Sequence, residues 1–252
     1  MKIKVCGITS LEQMQQLQQM DVDYCGMIFY EGSKRFVGNK LENQQSEIKK
    51  LKIKKVGVFV NADYETVLKA IDDYGLTAVQ LHGDETDEFC LELTDKAKVI
   101  KVFRIADQKN IDELIEPFQN VCHYFLFDTA PSNSPNGGEP GAQPLLMQDA
   151  ANTIATSKSE VRAADSSPVG GSRMGAVFGG TGKQFDWSVL QNAAINKPFF
   201  LSGGIGLEDA EKVKSFRHPY FFATDVNSCF ETAPGVKDME KVQQFINALN
   251  HE

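Results

Sequence analysis

The chain has 252 residues, enough for one large α/β domain, and a net charge of −8 with no continuous basic footprint, which argues against nucleic-acid binding. Five cysteines without a C-x-x-C pair and four isolated histidines form neither a disulfide framework nor a zinc pattern. No apolar run approaches the roughly 20 residues of a membrane helix, and the N-terminus lacks a basic, apolar leader. We therefore expect a soluble, cytoplasmic protein without a membrane or nucleic-acid partner.

Eight short runs of β-branched and aromatic residues alternate with segments whose apolar residues recur at helical spacing. Ser10 and Asp63 are predicted N-caps of the helices after the first and third strands, and a helix from Met239 to Leu249 is the last element. In chain order, the predicted strands are 2–6, 24–29, 55–60, 78–81, 99–103, 123–127, 198–201 and 220–224.

Eight successive strand–helix units give a parallel sheet with right-handed crossovers. Both a closed barrel and a doubly wound open sheet satisfy this pattern. The count of eight, and the absence of G-x-G-x-x-G after the first strand, favour a single (β/α)₈ barrel spanning 1–252.

One segment interrupts the alternation, at about 130–178 after the sixth strand. Both of its flanks are rich in Ser, Pro, Gly and Asn, which predicts a long, flexible insertion. The sequence leaves open whether this is a tolerated surface insertion or a lid over a site.

Reactive side chains fall at the predicted strand ends, where a barrel of this kind carries its chemistry. Cys6 ends the first strand, and Lys4, two residues earlier on the same side, could favour its thiolate. Asp128 directly follows the sixth predicted strand and is a candidate general acid. The alternatives are a small buried hydrophobe for Cys6 and a loop cap for Asp128.

Two kinds of anion site are also suggested. A glycine-rich turn containing Gly203 and Gly204 follows the seventh strand, and Asn227 and Ser228 follow the eighth, which are the usual phosphate-binding loops of the fold. Arg35, after the second strand, could hold a planar carboxylate with two parallel hydrogen bonds. In addition, Gln80 and His82 share a face of the fourth strand and are expected to point into the same mouth.

Nine stretches, in one order along nearly the whole chain, resemble the phosphoribosylanthranilate isomerase family of tryptophan biosynthesis. A chance match to all nine is improbable, although a match to one would mean little. They are residues 4–9, 33–35, 56–61, 79–85, 127–129, 179–187, 201–205, 225–228 and 234–238.

The resemblance implies an Amadori rearrangement of N-(5-phosphoribosyl)anthranilate without a metal or organic cofactor. It places Cys6 as the base and Asp128 as the acid, with Arg35 holding the anthranilate carboxylate. The remaining expected contacts are Gln80, His82 and Asp225 to the substrate and Gly203, Gly204, Asn227 and Ser228 to its phosphate.

The chain departs from the family pattern at Cys229, where a glycine is usual, and at Asn227, where serine is more common. Related phosphosugar barrels fit less well, because the histidine-pathway isomerase would have an aspartate at Cys6 and indoleglycerol-phosphate synthase relies on strand-end lysines absent here. The alternative that is not an enzyme is a non-catalytic protein that binds a phosphosugar. The sequence does not distinguish a monomer from a homodimer.

Overall fold

Eight parallel strands close into a barrel in the computed structural model, which describes residues 1–105, 110–130 and 184–250. Each strand pairs with the next in the chain, and the eighth pairs with the first. The predicted (β/α)₈ fold is therefore confirmed. The strands are β1 (Lys2–Val5), β2 (Tyr24–Ile28), β3 (Lys54–Phe59), β4 (Ala78–Leu81), β5 (Lys98–Ile105), β6 (Tyr124–Thr129), β7 (Phe199–Leu201) and β8 (Phe221–Val226).

Helices surround the barrel, and their N-caps explain where two of them begin. The Ser10 hydroxyl accepts from the Gln13 N–H at 3.2 Å, and the Asp63 carboxylate accepts from the Thr66 N–H at 2.8 Å, as predicted. None of the described helices is long and apolar enough to cross a membrane. The helices are α1 (Leu11–Gln19), α2 (Gln45–Lys50), α3 (Tyr64–Tyr74), α4 (Asp87–Glu92), α5 (Ile111–Ile115), α6 (Ser188–Gln191), α7 (Ala210–Ser215) and α8 (Met239–Asn250).

Four short 3₁₀ helices and one small hairpin complete the described part of the chain. The 3₁₀ helices are Gly38–Leu41, Glu116–Phe118, Leu207–Asp209 and Ser228–Phe230. The hairpin consists of β9 (Glu231–Ala233) and β10 (Val236–Lys237), and lies between β8 and α8.

The strand registers place two of the candidate carboxylates inside strands rather than just after them. Asp128 pairs with Arg104 of β5, and Asp225 pairs with Lys4 of β1. Each carboxylate is therefore held by strand pairing on one side, Asp128 by β5 and Asp225 by β1, which fixes its backbone position.

The apolar core has an outer and an inner part. The larger cluster fills the space between barrel and helices, as expected for this fold. Inside the barrel, a layer that includes Tyr24, Phe200 and Leu126 closes the interior. Cys6, Ile28 and Val58 form a separate small cluster further along the strands. The barrel interior is therefore apolar in the layer around Tyr24, Phe200 and Leu126, and it carries its reactive side chains near the carboxyl ends of the strands.

The predicted insertion at about 130–178 lies, apart from Ala130, outside the described residues. The strands on either side of it pair directly, with Phe125 opposite Phe199 and Phe127 opposite Leu201. One domain spanning 1–252 remains a prediction.

Candidate active site

A single cavity at the carboxyl ends of the strands gathers all ten candidate residues. The empty space within it is about 720 Å³, a figure that includes open solvent at the mouth. Residues in or just after β1, β2, β3, β4, β6, β7 and β8 contribute to the lining. The ten are Cys6, Arg35, Gln80, His82, Asp128, Gly203, Gly204, Asp225, Asn227 and Ser228.

The Cys6 thiol is buried at the base of this cavity. Its backbone N–H donates to the Val226 carbonyl at 2.9 Å, which continues the β1–β8 pairing by one residue. Burial raises the pKa of the Cys6 thiol, and Asp225 raises it further, while the ammonium groups of Lys4 and Lys237 oppose the shift. The pKa stays above its ordinary value.

Gly26 on β2 provides the space that the thiol occupies. A Cβ at Gly26 would lie 2.7 Å from Cys6 Sγ and 3.1 Å from Cys6 Cα. Only glycine leaves room for Cys6 in this position, a requirement that the sequence interpretation missed.

Lys4 and Asp225 form a buried ion pair beside the thiol, with side-chain exposures of 0% and 5% and an N–O distance of 2.9 Å. Burial raises the pKa of Asp225 and Lys4 opposes that rise, whereas the pKa of Lys4 is raised by Asp225 and Cys6 in spite of its burial. The second Asp225 oxygen accepts from the Ser202 hydroxyl at 3.5 Å. Lys4 was expected to lie near the Cys6 thiol. Its ammonium group donates a hydrogen bond to Asp225 Oδ1 at 2.9 Å.

Asp128, His82 and Gln80 form a chain of long polar contacts across the cavity. His82 Nε2 lies 3.5 Å from Asp128 Oδ2, and the Gln80 amide nitrogen lies 3.4 Å from His82 Nδ1. Nε2 is therefore the ring nitrogen that faces Asp128, and Nδ1 is the one that faces Gln80. The other Asp128 oxygen accepts from the Thr129 N–H at 2.8 Å.

The buried Gln80 side-chain oxygen has no hydrogen-bond partner in the described part of the chain. A buried polar atom without a partner in a cavity wall is positioned for a ligand donor, because leaving it unpaired costs free energy.

Arg35 is held by a carboxylate of the protein itself. Its Nε donates to Glu231 Oε1 at 2.8 Å and its Nη2 donates to Glu231 Oε2 at 2.6 Å. Nη1 makes no hydrogen bond to another described residue, so a ligand carboxylate would meet the guanidinium from that side. The sequence interpretation found Arg35 and missed Glu231, although Glu231 follows the eighth strand and so lies at the same end of the barrel.

The glycines after β7 have the geometry of a close approach. Gly203 has a φ of +93°, and a Cβ there would lie 2.2 Å from Thr129 Oγ1. Neither the Gly203 nor the Gly204 N–H donates to another residue that the structure describes, so both are available to an anion.

Cys229, at the position where the family usually has glycine, lines the same cavity. It is not among the non-glycine residues with positive φ, which are Asp21, Asn43 and Asn61 in the described ranges. A side chain at this position therefore causes no left-handed backbone strain.

Not every polar strand end reaches the cavity. Asn61 and Arg104 hold neighbouring loops instead: Asn61 Oδ1 accepts from the Asp84 N–H at 2.7 Å, and Arg104 Nη2 donates to the His82 carbonyl at 3.1 Å. Within the described ranges, no cluster of three or more His, Cys, Asp or Glu side chains could hold a metal ion.

Comparison with known proteins gives a consistent result. The profile of the family described as N-(5'phosphoribosyl)anthranilate (PRA) isomerase matches residues 3–143 and 169–248. The unmatched stretch, 144–168, is shorter than the predicted insertion. The N-(5'-phosphoribosyl)anthranilate isomerase of Parabacteroides distasonis is 35% identical over all of this chain and 94% of its own length. The protein of the same name from Phocaeicola vulgatus is 32% identical, over 100% of this chain and 99% of its own length.

Solved structures of proteins with the same name are also similar to this chain. Phosphoribosyl anthranilate isomerase from Thermotoga maritima is similar with a TM-score of 0.70 and 25% identity, covering 98% of both chains. A phosphoribosyl anthranilate isomerase in complex with reduced 1-(o-carboxyphenylamino)-1-deoxyribulose 5-phosphate has a TM-score of 0.67 at 24% identity, covering 98% of this chain and 97% of that one. The chain belongs to the N-(5'-phosphoribosyl)anthranilate isomerase family.

Proposed function

We propose that the protein converts N-(5'-phosphoribosyl)anthranilate to 1-(2-carboxyphenylamino)-1-deoxyribulose 5-phosphate, a step of tryptophan biosynthesis, with Cys6 as base and Asp128 as acid. The supporting observation is that the Cys6 thiol and the Asp128 carboxyl line one cavity, together with the Arg35 guanidinium and the glycines Gly203 and Gly204. Both proton-transfer groups are thus within reach of one small ligand whose two ends are anionic.

Ring opening is the first step. The carboxyl of Asp128 donates its proton to the ribose ring oxygen as the bond between that oxygen and C1 breaks, and the anthranilate nitrogen lone pair forms an imine to C1. Asp128 becomes a carboxylate, and its Oδ2 lies 3.5 Å from His82 Nε2.

Proton removal from C2 is the second step. The Cys6 thiolate takes the C2 proton, and the C2–H electrons form a C1–C2 double bond as the imine electrons move to nitrogen. The resulting enaminol then becomes the ketone by gaining a proton at C1 and losing the O2 proton. The ammonium groups near Cys6 favour the thiolate form against the effect of burial.

Binding uses groups at separate parts of the cavity. Gly203, Gly204, Asn227 and Ser228 hold the phosphate, and Arg35 holds the anthranilate carboxylate through Nη1. The unpartnered Gln80 oxygen accepts from a substrate hydroxyl or N–H, and Asp225 and His82 contact the sugar.

Turnover is the direct test. The purified protein should abolish the fluorescence of phosphoribosylanthranilate, and Cys6→Ala and Asp128→Asn should each lower kcat by about 10²–10⁴-fold. Cys90→Ala, which removes a buried thiol of α4 outside the cavity, should keep kcat. Unchanged fluorescence at high protein concentration would overturn the proposal and favour a non-catalytic phosphosugar binder.

A further inference from the structure

The hairpin after β8 connects two parts of the cavity that would each hold an anion. Glu231 begins the hairpin and Lys237 ends it, and their side chains are 5% and 0% exposed. Neither lines the cavity, yet they hold Arg35 and Asn227, which do.

Glu231 is fully engaged by donors. Besides its three bonds from Arg35, its Oε1 accepts from Lys237 Nζ at 2.6 Å and from the Gly235 N–H at 3.1 Å. Burial acts to raise the pKa of Glu231, but the hydrogen bonds from Arg35 and Lys237 outweigh it and the pKa is lowered. The carboxylate is therefore charged and fixed.

The position of Arg35 follows from these bonds. Glu231 occupies the Nε–Nη2 edge of the guanidinium, and Arg35 Cδ lies close to Gly7, where a Cβ would be only 2.7 Å away. The planar group thus has one orientation, with Nη1 as the edge left for a ligand carboxylate.

Lys237 orients Asn227 by the same logic. Its ammonium donates to the Asn227 carbonyl at 3.1 Å and to Asn227 Oδ1 at 2.8 Å. Because an ammonium has donors only, the side-chain oxygen of Asn227 faces it and the Nδ2–H₂ donor is directed away. The oxygens of a phosphate are hydrogen-bond acceptors, so the Nδ2–H₂ donor of Asn227 is the group that a ligand phosphate needs.

We propose that Glu231 and Lys237 are positioning residues that preset the cavity for its ligand. Glu231 aligns Arg35 for the carboxylate, and Lys237 aligns Asn227 for the phosphate. This rests on the proposed function for the ligand roles of Arg35 and Asn227.

Two unreactive ligands separate these roles. Reduced 1-(o-carboxyphenylamino)-1-deoxyribulose 5-phosphate has both anions, whereas its phenylamino counterpart lacks the carboxylate. Both carboxylate oxygens of Glu231 accept hydrogen bonds from the cationic groups of Arg35 and Lys237. Glu231→Gln replaces one of these oxygens by an amide N–H₂, which cannot accept, so Arg35 loses its alignment. The Kd for the carboxylated ligand should rise about tenfold, the equivalent of one hydrogen bond to a charged group. The Kd for the phenylamino ligand should rise less, because the substitution reaches that ligand only through the bond from Lys237 to Glu231.

Lys237→Met should weaken both ligands, because both carry the phosphate. Asn227→Ala, which leaves the buried ion pair in place, should reproduce that loss even if the lysine variant does not fold. Glu47→Gln, which removes an exposed carboxylate of α2, is the charge-matched control and should change neither Kd.

Calorimetric titration with thermal melting of each variant decides the outcome. Equal weakening of both ligands by Glu231→Gln, or no weakening, would overturn the role of Glu231. Loss of only the carboxylated ligand in Asn227→Ala would overturn that of Lys237. The titrations need no turnover, so a protein with this binding pattern and no isomerase activity would refute the proposed function alone.

Discussion

At the scale of single residues, the reactivity of Cys6 depends on opposing effects. Burial and Asp225 raise its pKa, and Lys4 and Lys237 lower it, with burial the largest effect. Since an ordinary thiol is only a few per cent ionised at neutral pH, a raised pKa leaves a still smaller thiolate fraction. The activity of the base should therefore rise as pH increases through and above the ordinary thiol range.

Exchanging the neighbours of Cys6 should move its pKa in opposite directions. Lys4→Met removes a favourable charge, so the pH midpoint of the alkylation rate of Cys6 by iodoacetamide should rise. Asp225→Asn removes an unfavourable charge and should lower it. Peptide mass spectrometry assigns the alkylated thiol, and movement of both midpoints in one direction would contradict this electrostatic account.

Gly26→Ala tests the space that the thiol occupies. The new Cβ would lie 2.7 Å from Cys6 Sγ and 3.1 Å from Cys6 Cα, so the base must move. We expect kcat to fall by up to about 10²-fold with a smaller change in KM, since small misplacements of a catalytic group have such effects.

Gly57→Ala on β3 is the matched control for this experiment. Its Cβ would meet the side chains of Leu76 and Phe59, outside the cavity. It should lower the melting temperature without a comparable fall in kcat. An unaffected kcat in Gly26→Ala would show that the thiol tolerates the displacement.

The sequence alone was sufficient to find all ten cavity-lining candidates, because strand ends meet at one mouth and the motifs fall on them. The contacts that these residues make with one another and with Glu231 could not be predicted from the sequence. Lys4 and Asp225 are 221 residues apart, and Arg35 and Glu231 are 196 apart. Which side chains meet at such separations is decided by the register of the closed barrel.

At the scale of elements, a buried ion pair braces the loops after β3 and β4. Glu85 accepts from Lys101 Nζ at 2.8 Å, from the Asn61 N–H at 2.9 Å and from the Gly83 N–H at 3.0 Å. The Gly83 carbonyl also accepts from Lys101. Gly83 directly follows His82, which lines the cavity, so these bonds fix the backbone next to a cavity residue.

Lys101→Met should therefore be strongly destabilising. It leaves the buried Glu85 charge unpaired, which typically costs about 3–5 kcal/mol in the free energy of unfolding, measurable by urea denaturation. Lys96→Met breaks an exposed pair with Asp95 at the same 2.8 Å distance and should have almost no effect. Equal effects of the two substitutions would contradict a stabilising brace.

All eight strands were predicted from their apolar pattern, with ends that differ from the structure by at most two residues. The extensions have a physical cause, since β6 continues to Thr129 because β5 reaches Ile105 as its partner. The β9–β10 hairpin was missed. Its Pro234-Gly235 turn, with Gly235 at a φ of +84°, was the available signal.

At the scale of the whole molecule, the net charge of −8 opposes an anionic ligand, so attraction must come from the cavity itself. Lys4, Lys237 and Arg35 supply positive charge at or near its walls, and each is paired with a carboxylate. Recognition therefore depends on oriented donors more than on net local charge.

Deletion of residues 144–168 should leave kcat and KM unchanged. The family profile matches the chain on either side of this stretch, and β6 and β7 pair directly. Long insertions between paired elements have a small effect on stability. A lower kcat/KM at an unchanged melting temperature would instead support a lid.

The division of labour between Cys6 and Asp128 is tested most directly by a kinetic isotope effect. With substrate deuterated at C2 of the ribose, Cys6→Ser should show a primary isotope effect on kcat, because a hydroxyl is a poor base and proton removal becomes rate-limiting. Asp128→Asn slows ring opening, a step that leaves the C2–H bond intact, and should show none. An isotope effect in Asp128→Asn but not in Cys6→Ser would contradict the assignment of base and acid.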